Sequence, residues 1–364
     1  MASCVRLLQR EPSTKERPEG PGLDRTMPRG VRVLRTARGP GLAEWASGRG
    51  YLNILSPKGA SETTCIVYVH GGGFTKGSPD SSYLPFTASL AKASGLVTYV
   101  PDYTLVPFAH YPTQVEEILS TIAAARKVYR KIVLIGDSAG GTIALSVILQ
   151  RPRSADRCAL ISPWINLDAS QYDYAPRSLL HTSIRGCGDP VFGGDPKSLA
   201  LESRKQAEVY LGSPTLFQES PSNPAKASLA QLRSLPPCLI IVGDREVLRT
   251  EILTFVARAQ KVNKNITAQL YDGMWHVWPM YSEGCGGPPV RSAKVAREMV
   301  ATYARTGRPS KPGPFLEASV GLMLNQRAGS RRRPSKPYRT RRARGSTSRA
   351  RRRSVARRRT TQKN

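Results

Sequence analysis

The chain has 364 residues, 40% of them hydrophobic, and a formal net charge of +29. That length suits one large α/β domain or two small ones. No run of about 18 apolar residues occurs, which excludes a helical membrane span, and no Cys/His spacing of the zinc-binding kind is present. The charge is concentrated at one end. Residues 307–364 carry 19 basic residues and one acidic residue, Glu317, whereas residues 1–306 carry 36 basic and 25 acidic.

Residues 1–50 are rich in Arg, Gly and Pro and read as an N-terminal arm or a segment of a cap. They hold no apolar run long enough for a secretory signal core. From residue 64 the pattern changes. CIVYV (65–69) reads as a buried strand, 81–93 as a helix and LVTYVPDY (96–103) as a strand. Apolar residues at Val115, Ile118, Leu119 and Ile122 predict an amphipathic helix over 113–129. KIVLIG (131–136) is a strand, AGGTIALSVILQ (139–150) a helix, and CALIS (158–162) and CLIIVG (238–243) are strands. A helix over 247–262, a strand ITAQLY (266–271) and a last helix over 289–305 complete the series. This alternation predicts an α/β fold whose mostly parallel sheet has helices on both faces. Between 163 and 237 the alternation breaks, and 168–235 reads as a cap insertion above the sheet. The body is thus expected to span 51–306. Residues 307–364, with Arg triplets, Ser and Pro, read as a disordered tail. Cys65, Cys158 and Cys238 begin apolar runs and read as buried free thiols in a reducing compartment.

Three segments carry chemistry. G-D-S-A-G (136–140) places Ser138 on a sharp turn between a strand and a helix, the geometry of a serine nucleophile. His70-Gly71-Gly72-Gly73 follows the strand CIVYV. Its glycines expose backbone N–H groups, and two of these, with that of Ala139, are placed to receive an oxyanion. His70 is then an orienting residue. A serine nucleophile needs a base held by a carboxylate. The histidines are His70, His110, His181 and His276, and only His276, after ITAQLY, sits where a base following the last strand should lie. The carboxylate is Glu246 or Asp244, both just after CLIIVG, with the other acid solvated or capping the next helix.

HGGG, DYTLVPFAHYP (102–112), GDSAGG, SPWINL (162–167), LPPCLIIVGDREVL and GMWHVW occur in the order found in one known family. The chain resembles the hormone-sensitive-lipase-like branch of the α/β-hydrolases, also called alpha/beta hydrolase fold-3, over about residues 50–305. The resemblance implies the α/β-hydrolase fold with a cap, and a serine carboxylesterase or lipase-like activity on a small to medium uncharged ester. It implies Ser138 as nucleophile, His276 as base, Gly72, Gly73 and Ala139 as the oxyanion hole, and Glu246 in E-V-L-R-T as the acid, with Asp244 as the alternative. Thr250 departs from the family pattern, where an acid is usual. No metal or organic cofactor is implied, and a homodimer is consistent with relatives.

Two other readings compete. One is a non-catalytic small-ligand-binding protein on the same fold, against which the presence of His276 and a carboxylate argues. The other puts function in the tail, where 307–364 would bind nucleic acid or an acidic partner through its cationic side chains. Absence of targeting signals gives a cytoplasmic expectation, with a nuclear one if the tail serves as an address.

Overall fold

The strand-forming runs from residue 64 to residue 271 share one trait: successive residues are buried on opposite faces. In the computed structural model, which describes residues 27–36, 51–170, 189, 191–192, 196–271, 273–283, 290–309 and 316–317, they assemble into one sheet. The strands are β1 (Val31–Thr36), β2 (Leu52–Pro57), β3 (Thr64–Val69), β4 (Val97–Pro101), β5 (Lys131–Asp137), β6 (Arg157–Ile161), β7 (Cys238–Gly243), β8 (Ile266–Tyr271) and β9 (Leu316–Glu317). Their order across the sheet is β1-β2-β4-β3-β5-β6-β7-β8-β9. β3 to β8 run parallel, while β1, β2 and β9 pair antiparallel at the two edges.

Period-two alternation divides the core between the two faces. Ile66, Tyr68, Val133, Ile135, Ile161 and Ile241 pack with Phe86 and Leu90 of helix α1 (Tyr83–Ser94). Met299, Val300 and Tyr303 of the last long helix, Arg291–Thr306, complete that face. Cys65, Val67, Val69, Ile132 and Leu134 point the other way. They meet α2 (Thr113–Arg126) and α3 (Ser138–Gln150), and the same cluster continues to the helix Arg249–Val262. Both faces are covered, as a parallel sheet requires.

The chain visits β3, then β4 on one side of it, then β5 on the other. Ligand sites in open α/β sheets form at such a reversal, beyond the carboxyl ends of the strands. The β3–β5 register pairs Val69 with Gly136. That pairing sets His70 and Gly71 level with Asp137 and Ser138.

Between β6 and β7 the described chain contains α4 (Pro196–Leu211), two single 3₁₀ turns (Pro214–Gln218 and Pro224–Lys226) and α5 (Leu229–Ser234). The two later helices are α6 (Arg249–Val262) and α7 (Arg291–Thr306). Ser228 caps α5 by accepting from the Gln231 N–H, and Gln231 returns the bond to the Ser228 N–H.

The sequence reading differs in places. Val31–Thr36, within the N-terminal arm, is an edge strand, and Leu316–Glu317, within the basic tail, pairs with β8. The rest of the arm before residue 51 apart from 27–36, and the tail beyond 309 apart from 316–317, lie outside the described residues. So do Cys4, Cys187, Cys285 and His181. Cys65, Cys158 and Cys238 are buried free thiols. Among the described residues, no helix is long and apolar enough to cross a membrane.

Ile66 is fully buried and Leu34, on β1, is 52% exposed. Ile66→Ala should lower the unfolding free energy by about 2–5 kcal/mol, and Leu34→Ala should change it by less than about 0.5 kcal/mol. Urea titration followed by circular dichroism checks both, and similar losses at the two positions would contradict this core.

Candidate active site

β5 ends and α3 begins with no intervening loop, so one residue absorbs the change of direction. That residue is Ser138, with φ +50. A left-handed conformation costs a non-glycine residue roughly 1–2 kcal/mol, and the surroundings impose it. A side chain at Gly140 would overlap the carbonyl oxygens of Val69 and His70. The helix therefore starts hard against the end of β3, and the Trp164 N–H donates to the Ser138 carbonyl at 3.0 Å. The turn holds the Ser138 side chain at the head of α3, where the helix presents its unpaired N–H groups.

The glycine-rich loop after β3 is fixed in the same way. Gly72 has φ +113, and a Cβ there would overlap the Lys76 carbonyl oxygen. Only glycine fits. Among the described residues no acceptor takes the N–H of Gly72 or Gly73. His70 is buried, its Nδ1 lies 2.8 Å from the Gly71 carbonyl oxygen, and its ring stacks on Tyr103 at 4.3 Å. Burial pulls its pKa down to about 4, so the imidazole is neutral and Nδ1 donates to Gly71. The Tyr103 hydroxyl donates to the His70 carbonyl at 2.8 Å. His70 is a structural brace for the loop.

Asp137, beside the serine, joins the two loops. Its Oδ1 accepts from the Tyr68 hydroxyl at 2.8 Å and from the Gly71 N–H at 3.1 Å, and its Oδ2 accepts from the Tyr83 hydroxyl at 2.9 Å. Burial pushes this carboxyl up to about 7, while the three donors pull it back toward the charged form.

On the far side, the loop after β8 brings His276 to the serine. His276 Nε2 lies 2.9 Å from Ser138 Oγ. Its Nδ1 faces Glu246 Oε2 at 3.9 Å, and both side chains are buried. Burial disfavours either charge. It raises the Glu246 carboxyl well above the ordinary carboxylate range and lowers the His276 pKa to about 3. The Ser162 hydroxyl opposes the first effect. Ser162 also accepts the Val277 N–H at 3.0 Å, next to the base. The Phe192 ring packs on His276 at 4.8 Å.

Asp244, the alternative acid, is engaged elsewhere. Its Oδ1 accepts the Gly273 N–H at 2.6 Å and so tightens the loop that leads to His276. Nor does it cap the next helix, since α6 starts at Arg249 with Leu248 before it. His110 Nδ1 lies 2.5 Å from the Val209 carbonyl oxygen, away from the serine.

A hydroxyl held against a neutral imidazole, with a carboxylate behind and unpaired N–H groups beside, is the arrangement for base-assisted nucleophilic attack on a carbonyl. A family model for the alpha/beta hydrolase fold matches residues 66–280.

The chain belongs to the hormone-sensitive-lipase-like branch of the α/β-hydrolase superfamily.

An esterase of Gibberella moniliformis is 34% identical over 261 residues, covering 66% of this chain and 74% of the relative. An acetyl-hydrolase of Streptomyces hygroscopicus is 28% identical over 256 residues, covering 66% and 75%. In three dimensions, a hyperthermophilic esterase of the archaeon Pyrobaculum calidifontis shares the fold with a TM-score of 0.62 at 21% identity, covering 85% of this chain and 91% of that one.

Within this hydrolase fold, sequence reasoning reached Ser138, His276, Glu246, His70 and the glycine loop, and the structure gathers them at one place. It did not reach Asp137, Ser162, Asp189 or Glu251. Glu251 is buried with its pKa raised to about 8 by desolvation, and it accepts the N–H groups of Ile165 at 2.7 Å and Asn166 at 3.0 Å. Asp137 sits inside GDSAG, and its flanking by Ser138 was the available signal. Of the aromatic residues in the 163–237 stretch, Trp164, Tyr210 and Phe217 are buried, and Tyr172 and Tyr174 lie outside the described residues.

Tyr68→Phe removes one donor from the buried Asp137 carboxylate. It should lower stability by about 1.5–3 kcal/mol, the range for a hydrogen bond to a charged group. Chemical denaturation measures this, and an unchanged midpoint would mean the carboxylate is not held as described.

Proposed function

We propose that this chain is a serine carboxylic-ester hydrolase acting on small to medium uncharged esters through an acyl-enzyme. The 2.9 Å approach of Ser138 Oγ to His276 Nε2 at the head of α3 carries the reading. In the first half-reaction Ser138 Oγ attacks the ester carbonyl carbon and its proton passes to His276 Nε2. The N–H groups of Gly72, Gly73 and Ala139 receive the negative charge on the carbonyl oxygen. The tetrahedral intermediate collapses, the C–O bond to the alcohol breaks, and the alkoxide leaves with the proton from His276. Water then attacks the acyl-serine with the same proton relay and frees the acid.

Glu246 faces the Nδ1 side of His276 and stabilises the imidazolium formed at each attack. Glu246 Oε2 lies 3.9 Å from Nδ1, and positive charge on the imidazole strengthens the attraction between them. The substrate class is supported by the surroundings. Phe192 covers one face of His276, and Phe74 stacks on Tyr210 at 3.7 Å and leans on Trp164 at 5.4 Å. Glu246 and Asp189 are acidic and lie on the base side, which disfavours an anionic substrate. The β6–β7 connection, with α4, is the cap in this reading. Among the described residues no cluster of His, Cys, Asp and Glu is placed to hold a metal ion.

Ser138→Ala should abolish both hydrolysis of p-nitrophenyl esters and labelling by a fluorophosphonate while leaving the thermal melt unchanged. Parental turnover in that variant would refute the mechanism. Glu246→Gln should lower kcat by about 10³–10⁴. In the parent, the acid limb of kcat/KM belongs to the coupled Glu246–His276 pair, whose carboxyl is raised by burial. In the variant the carboxyl facing Nδ1 is gone, and the burial that lowers the His276 pKa acts unopposed. The acid limb should therefore move to lower pH, and a limb that stays in place would separate Glu246 from the base.

A further inference from the structure

We propose that Asp189 is a positioning residue for this hydrolase: its carboxylate clamps the backbone of the base, the backbone beside the catalytic acid and the β6–β7 connection into one unit. The inference rests on the assignment of Ser138, His276 and Glu246 made above. Asp189 is 8% exposed and lies in a Gly/Pro-rich stretch, GCGDPVFGG, far in sequence from its partners. Its Oδ2 accepts the His276 N–H at 3.1 Å and the Val247 N–H at 3.4 Å. Its Oδ1 accepts the Val191 N–H at 3.0 Å. Three separate chain segments thus converge on one side chain.

The two Oδ2 donors are telling. One is the backbone of the base itself, and the other belongs to the residue directly after Glu246. Both lie in turns outside the sheet ladder and the helices, where no regular partner is supplied. The carboxylate is therefore what gives these two turns a common fixed point. The imidazole reaches Ser138 from a backbone anchored there, and Glu246 reaches the imidazole from the same anchor. Asp189 does not compete with Glu246 for Nδ1, since both its oxygens are occupied by backbone N–H groups.

The clamp also reaches the substrate side. Val191 and Phe192 follow Asp189, and the Phe192 ring lies on the His276 ring. The titratable groups facing Asp189 are Glu246, His276 and Tyr281. The Asp189 charge raises the pKa of both Glu246 and Tyr281.

Asp189→Asn keeps the shape but turns one oxygen into an N–H₂ group, which must face a backbone donor whichever way it is placed. The full chain, its Asp189→Asn variant and its Ser138→Ala variant would be assayed on p-nitrophenyl butyrate, with turnover normalised to serine titrated by a fluorophosphonate. A misplaced base slows chemistry more than binding, so kcat per titrated serine should fall about 10–100-fold with KM changed less than about threefold. Parental kcat per titrated serine in Asp189→Asn would overturn the proposal, because a purely structural acid would change only the fraction folded. Should that variant not fold, amide hydrogen exchange of the wild-type protein decides. The His276 and Val247 N–H groups should exchange as slowly as the strand core, and exchange at exposed-loop rates would overturn the clamp. Retained activity in Ser138→Ala would instead remove the underlying mechanism, and so the two failures are told apart.

Discussion

The site depends on one buried carboxylate. Asp137 stands at the carboxyl end of β5 and takes the Gly71 N–H from the loop after β3. Without that bond the serine turn and the glycine loop would be two independent ends of neighbouring strands. With it, the nucleophile and the N–H groups proposed to meet the oxyanion share one rigid frame. The two tyrosine hydroxyls on Asp137 extend the frame to β3 and to α1. Oxyanion stabilisation needs donors held before charge appears, since reorganisation during the reaction would cancel the gain. A carboxylate buried with three donors, in surroundings that cannot solvate it otherwise, meets that need.

Buried acids recur around the site, and their partners divide their roles. Asp137, Asp189 and Glu251 each take backbone N–H groups from loops at the carboxyl ends of the strands. Glu246 faces an imidazole instead. The first three set loop positions. The fourth is available to respond when the imidazole takes a proton. Desolvation raises all four carboxyls, so each stays charged only to the extent that its donors hold it. This makes the loop geometry and the charge state of the site one property.

The β6–β7 connection contributes apolar surface and covers the base. Its helix α4 buries Ser203, Ala207, Tyr210 and Leu211, and Tyr210 stacks on Phe74 from the glycine loop. The connection is therefore packed against the oxyanion side through Phe74 and against the base side through Phe192.

Local motifs were readable because their geometry is local. The elbow needs small residues within two positions of Ser138, and GDSAG displays them. The turn after β3 needs glycine where φ is positive, and HGGG displays that. The preference for Glu246 over Asp244 came from the family resemblance and not from local pattern, because both lie in a turn, where strand alternation no longer tells which side chain points where. Strand β1 was hidden by its edge position, with Val33 and Leu34 exposed and no alternation to see. Helix α4 was hidden because its buried stripe begins with Ser203 and Ala207, which carry little hydrophobic signal.

Taken by itself, then, the sequence determined the strand–helix alternation, the serine turn, the glycine loop and the histidine that follows β8, since each follows from residues a few positions apart. The family resemblance favoured Glu246 as the acid and the structure sets it against His276, whereas the tertiary structure alone decided what Asp137 and Asp189 do. Their donors come from 66 and 87 residues away, and only the parallel sheet, by bringing the carboxyl ends of its strands together, puts those groups within hydrogen-bonding reach.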